Sequence, residues 1–170
     1  TGVLARLTRQ LHLDRPAVRA WMLYDWANSA MYVVIITAIF PTFFSAVAAQ
    51  GLPPVEATYR FSLATTLGLT IIAVLSPILG AIADHSAAKK RLLGAFLAFG
   101  ASAVAAMFFI RHGQWEFAAL LFILANIGVN GSFVFYDSLL PHVAAPDEMD
   151  RISTAGYALG YLGGGLFLVA

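Results

Sequence analysis

The chain has 170 residues, 60% of them hydrophobic and 11% charged, with ten Lys or Arg against nine Asp or Glu, a formal net charge of +1 and no cysteine. So even a charge gives no basis for binding nucleic acid, and the lack of thiols excludes a disulfide framework, a cysteine nucleophile and a Cys-based zinc site. The apolar content exceeds the roughly one-half typical of soluble domains, and it is gathered into five charge-free stretches at 26–55, 61–83, 92–110, 117–136 and 152–170.

A bilayer core of about 30 Å takes about 20 mainly apolar residues to cross as a helix, since in hydrocarbon only bonding inside the helix can satisfy the backbone. The pattern therefore predicts an all-α membrane protein, a polytopic bundle of five transmembrane helices. Residues 1–19 come first, with Arg6, Arg9, Arg15 and Arg19 against a lone Asp14. They read as a cytoplasmic lead-in, because the apolar segment that follows is too long for a signal peptide and lacks a small-residue cleavage site. The first span is expected at about 20–48, closed by Gly51, Leu52, Pro53 and Pro54. The others follow at about 61–83, 92–110, 117–140 and 153–170. Pro41 and Pro77 fall inside spans, where a missing N–H predicts a kink. Trp21 and Tyr24 suit the inner headgroup level and Trp115 the outer one.

Lys and Arg collect on the cytoplasmic side of short loops. An inside N-terminus puts eight of them, at 6, 9, 15, 19, 89, 90, 91 and 151, on that side and leaves Arg60 and Arg111 on the other. The N-terminus is therefore expected in the cytoplasm. The chain begins at Thr1 and stops at Ala170 within an apolar run, and reads as a piece of a longer protein.

On a helix advancing 100° per residue, Asp25, Asn28, Ser29 and Tyr32 fit within an arc of about 100°, and Asn126, Asn130 and Asp137 within about 40°. Polar groups inside a span are expensive and usually face a cavity or a partner. The first and fourth helices run in opposite directions, which puts Asp25 and Asp137 each about one to two turns from the cytoplasmic edge. Two such carboxylates can repel and hold a proton. The stripes read either as a site for a cation, a proton or a substrate amine, or as hydrogen-bonding groups that join helices.

The fifth span carries Gly156, Gly160 and Gly164 at four-residue spacing, which lets helices approach closely. The triple glycine at 163–165 is no phosphate cradle, since no strand precedes it. Asp147, Glu148 and Asp150, after Pro146, suit the positive end of a starting helix better than a metal site. His12, His85, His112 and His142 lie in separate connections without the spacing of a zinc pair. Between the second and third spans stand Gly80, Asp84, His85, Lys89 and Lys90. A carboxylate at a helix C-terminus opposes the macrodipole. Asp84 is therefore expected to find a partner in the basic residues five to seven positions on, or at the N-terminus of a neighbouring helix; the other reading is an ordinary charged turn.

Gly80, Asp84, Lys89 and Lys90 match the spacing of the loop signature between the second and third helices of the major facilitator superfamily, which the chain resembles here. His85 stands in place of the usual basic residue and Ala87 in place of the second glycine. Tyr24, Asp25, Trp26, Ala27, Asn28, Ser29 and Ala30, followed by Phe40 and Pro41, resemble the first span of the vacuole-effluxer-like family, also called the unknown major facilitator family. Phe135, Tyr136 and Asp137 with Leu139, Leu140 and Pro141, then Ser153 and the run 156–164, resemble that family's fourth-to-fifth-span region, where Asn is common at the place of Asp137. The resemblance reaches from about Trp21 to Ala170.

What the resemblance implies is a fold of about twelve helices in two six-helix halves, with the substrate path between them and the first and fourth helices lining it. Residues 20–170 are then an incomplete N-terminal transmembrane half, and the C-terminal half of the same chain is its partner. It also implies a secondary active transporter working by alternating access in the lipid bilayer of the plasma (inner) membrane. The solute is expected to be small and polar, with amino-acid export the leading substrate and proton coupling left open. Asp25, Asn28, Tyr32, Asn126, Asn130 and Asp137 are the candidates for the transport cavity. No cofactor, metal or catalytic residue is expected. The rival readings are a non-transporting scaffold or receptor on a transporter fold, and a membrane-embedded enzyme, for which only the acidic loop offers reactive groups.

Overall fold

The computed structural model describes Gly2 and residues 13–85 and 87–169, and among them there are helices and no strands. Most of the lead-in 1–19, with His12, lies outside the described residues. Five helices are long and apolar enough to cross a membrane: α1 (Pro16–Ala48), α2 (Pro54–His85), α3 (Lys89–Phe109), α4 (Trp115–Val143) and α5 (Met149–Val169). All five begin two to seven residues before their expected starts, because the apolar run marks only the hydrocarbon and the helix continues through the headgroup layer. Local chemistry sets those outer ends. Pro16 and Pro54 open α1 and α2, where a missing N–H costs nothing. Glu56 and Asp150 stand in first turns and His85 and His142 in last turns, the signs the helix dipole favours. His85 and His142 thus belong to helices rather than to connections. Gly51 at φ +94° and Gly113 at φ +79° take left-handed conformations in the turns after α1 and α3, which a side chain would resist.

Around Pro41 the expected kink takes a different form. α1 is α-helical over Pro16–Ala30, π-helical over Met31–Ile39, α-helical again over Phe40–Phe43 and π-helical over Phe44–Ala48. Pro41 has no N–H to donate to the turn before it, and widened turns of this kind accommodate such a loss. Pro77 lies inside an unbroken α2.

The chain divides into two compact units, Thr1–Ile35 with Leu139–Ala170, and Ile36–Ser138. In the first, the opening turns of α1 lie along α5. Val18, Met22 and Ile152 are fully buried between them, and α5 meets α1 through glycines. A methyl group on Gly156 would come closer than 3.0 Å to the Trp21 indole, and one on Gly163 would lie 2.7 Å from Trp26. One on Gly164 would lie 2.8 Å from Val33 and 3.2 Å from the Ser29 carbonyl oxygen. Lipid is as apolar as leucine, so close van der Waals contact, and not water expulsion, holds such a pair together. Trp21 is accordingly buried, with its ring 6.3 Å from that of Tyr157. The space above Gly156 holds the indole.

In the second unit α3 and α4 cross at Gly100 and Gly128, where backbone meets backbone, and Phe96 covers Gly131. Gly68 of α2 lies against α4, 3.6 Å from Asn126 Cβ as measured from an added methyl. Phe40, Phe61 and Phe122 form an aromatic cluster, with Phe40 stacked on Phe122 at 4.7 Å and Phe61 tilted against it at 5.1 Å. Each such pair adds about 0.5–1.5 kcal/mol beyond its buried area. Ile72, Leu79, Ala83 and Phe135 make a further apolar core.

Candidate functional site

Within the α1–α5 unit, Asp25 and Asn28 are each only 3% exposed. Three and four residues separate Asn28 and Ser29 from Asp25, so all three share one side of α1. The carboxyl of Asp25 rests directly on the bare backbone of Gly160, where an added methyl would collide with it and with the Ser29 hydroxyl. Gly160 is therefore what gives a carboxylate room at this level. Asn28 is the most exceptional group of the three: neither its Nδ2 nor its Oδ1 has a hydrogen-bond partner among the described residues. Leaving a buried amide unsatisfied costs about 1–3 kcal/mol on mutational scales. Tyr32, one turn on, is half-buried and opens the π-helical stretch with Met31.

The stripe on α4 is built differently. Asn126 is buried and donates from Nδ2 to the Phe122 carbonyl at 2.9 Å, while Asn130 donates to the Asn126 carbonyl at 2.8 Å. Both amide N–H groups are thus tied back onto their own helix, four residues earlier. Ser132 and Ser138 do likewise, each donating to a carbonyl three residues back. Asp137, near the end of α4, is exposed.

In the loop motif, Gly80 faces open space and Asp84 is exposed at the end of α2. Asp84 makes no ion pair among the described residues. His85 donates from Nδ1 to the Ala81 carbonyl at 3.0 Å. Lys89 reaches across to α4 and donates to the Ser138 carbonyl at 3.3 Å, a cation near a helix C-terminus; Lys90 is exposed. Among the described residues no three of His, Asp and Glu gather as metal ligands. The acidic cluster instead has a structural use, since Glu148 accepts from the Ala145 N–H at 3.1 Å and pairs with Arg15 at 2.6 Å.

Sequence reasoning missed that ion pair, whose partners stand 133 residues apart. It also missed the stacking of the Arg60 guanidinium over Trp115 at 3.8 Å, although Glu56 and Arg60 at four-residue spacing advertise their own pairing, at 2.6 Å.

Five apolar helices sealed by small residues, with buried polar groups on α1, define a multi-pass integral membrane protein. The family model described as vacuole effluxer Atg22 like matches residues 55–170, and the chain belongs to that family. It is 38% identical over 145 residues to an uncharacterized MFS-type transporter, YxiO, of Bacillus subtilis, an alignment that covers 85% of this chain and 34% of that protein. It is 33% identical over 106 residues to autophagy-related protein 22 of Neurospora crassa, covering 60% of this chain and 14% of the relative. A similar protein of Coccidioides immitis is 34% identical over 91 residues, 54% of this chain and 14% of its own length. The chain thus spans about a third or less of each of these relatives. No solved structure matches it.

Proposed function

We propose that the whole protein is a secondary active transporter that exports a small polar solute by alternating access, and that residues 20–170 form most of the first half of a twelve-helix major facilitator fold. The observation that carries this reading is Asn28, a buried carboxamide with both its donor and its acceptor unpaired among the described residues, one turn from the buried carboxylate of Asp25. A polar pair kept at this expense inside a span is what a polar ligand needs. The family description as an effluxer and the MFS-type relative support the direction and the class. An amino acid fits the chemistry, with its ammonium toward Asp25 and its carboxylate toward the Asn28 amide. Tyr32, Asn126, Asn130 and Asp137 are the further candidates along the path, and Asp25 or Asp137 is the group to carry a coupled proton. Gly80, Asp84, His85, Lys89 and Lys90 form the loop through which the conformational change is controlled.

The full-length protein in proteoliposomes tests this. Asn28→Ala and Asp25→Asn should each lower amino-acid efflux at least about tenfold, the effect of losing one or two charge-assisted hydrogen bonds. Wild-type efflux in both would sink the assignment, and no flux of any amino acid in the wild type would remove the substrate class. Orientation is tested separately. An N-terminus in the cytoplasm of a plasma-membrane protein leaves Gln114→Cys open to an impermeant maleimide on intact cells and Ala87→Cys protected. The reverse labelling overturns that topology.

A further inference from the structure

At the start of α2 and α4 two opposite charges stand at the head of an apolar groove. Arg60 donates from Nε to Glu56 at 2.6 Å, and its guanidinium carbon lies over the Trp115 ring, 3.8 Å from the centroid. Tyr59, 61% exposed, is at the same level. Beneath them a groove of about 320 Å³ runs between the helices past Leu63, Leu67 and Ile123. The 32 residues of α2 extend about 48 Å at 1.5 Å each against a hydrocarbon core of about 30 Å, so its first two turns reach headgroup depth. Leu67, seven residues beyond Arg60, lies about 10 Å deeper. The groove is therefore polar where a lipid headgroup sits and apolar where its acyl chain runs.

The ion pair by itself is worth only about 0.5 kcal/mol; its value is pre-organisation. Glu56 occupies Nε and Trp115 backs the guanidinium, which leaves the two Nη groups for the oxygens of a phosphodiester. The Glu56 side chain remains 41% exposed, enough to accept from an ammonium group, and the aromatic rings beside it favour a cation. A phosphate and an ammonium joined by two carbons, on an acyl chain, match this order of charges. We infer that the α2–α4 groove holds one phospholipid with a zwitterionic, primary-ammonium headgroup, phosphatidylethanolamine, with its phosphate on Arg60 and its ammonium on Glu56. A phosphatidylglycerol headgroup would set hydroxyls where Glu56 asks for a cation, and a choline headgroup has no N–H to give it.

Native mass spectrometry on the full-length protein, released from nanodiscs with equal amounts of phosphatidylethanolamine and phosphatidylglycerol, reads this directly. The wild type should retain one phosphatidylethanolamine in preference. Arg60→Gln should lower retention of both lipids roughly tenfold or more, and Glu56→Gln should cancel the preference while keeping phosphate binding, since one charge-assisted bond is worth about that ratio. The Glu56→Gln arm keeps shape and helix, so it decides the matter even if Arg60→Gln fails to fold. Equal retention of the two lipids by the wild type, or an unchanged preference in Glu56→Gln, overturns the site. Retention of neither, the result if another part of the whole protein covers the groove, overturns it too.

Discussion

The α1–α5 pair and the α2–α3–α4 group both use glycine to bring helices together, yet they treat buried amides in opposite ways. On α4, Asn126 and Asn130 return their N–H groups to carbonyls of their own helix. On α1, Asn28 returns nothing, beside a carboxylate seated on Gly160. The first arrangement is self-sufficient and stabilises the helix that carries it. The second remains incomplete among the described residues, which is the property the proposed solute site requires.

The glycines give the largest expected contrast. Gly160→Val drives a branched side chain into Asp25 and Ser29 and should destabilise the full-length protein by about 1–3 kcal/mol or more in thermal unfolding in detergent. Gly80→Ala enters open space and should instead stabilise by about 0.5–1 kcal/mol, the ordinary helix preference for alanine. Equal effects would mean that the packing against Asp25 is loose. The amides should differ in sign: Asn28→Ala relieves an unsatisfied group and raises stability by about 1 kcal/mol, whereas Asn126→Ala loses a bond and lowers it by a similar amount. If both lower it, Asn28 is a paired structural group and the contrast between α1 and α4 disappears. Arg15→Ala removes the partner of Glu148, and with a part-exposed pair the loss should stay within about 1 kcal/mol. Smallest of all, Asp84→Asn should move stability by less than about 0.5 kcal/mol, as an exposed residue does, while transport by the full-length protein falls. A loss of both together would make Asp84 a folding residue.

Most of the fold was legible from where charge is absent, because a helix in hydrocarbon must be long and nearly uncharged. The outer turns were not, since headgroup-depth residues such as Glu56 and Lys89 look like loop. The glycine spacing on α5 announced a close helix contact, but nothing in it says that Trp21, Asp25, Ser29 and Val33 are what fill it. The π-helical turns of α1 left no mark beyond Pro41, because a slip of one hydrogen bond depends on packing and not on composition. For the candidate site, the polar stripes on α1 and α4 could be read from their helical phase. Which amide is satisfied could not, since Asn126 and Asn28 are the same side chain and differ in what surrounds them.

The carboxyl of Asp25 lying on the bare backbone of Gly160 also bears on how this protein can change over generations. Position 160 cannot be enlarged without a change around it, because a side chain there arrives where the carboxylate and the Ser29 hydroxyl already are. A descendant that gains bulk at 160 must therefore move or shrink these groups, and one that gives up the acid at 25 gives up with it the charge proposed to hold the solute. Viable revertants of a Gly160 lesion should therefore carry their second change in α1, at Asp25 or Ser29, and those that shrink Asp25 should recover folding without recovering the cargo.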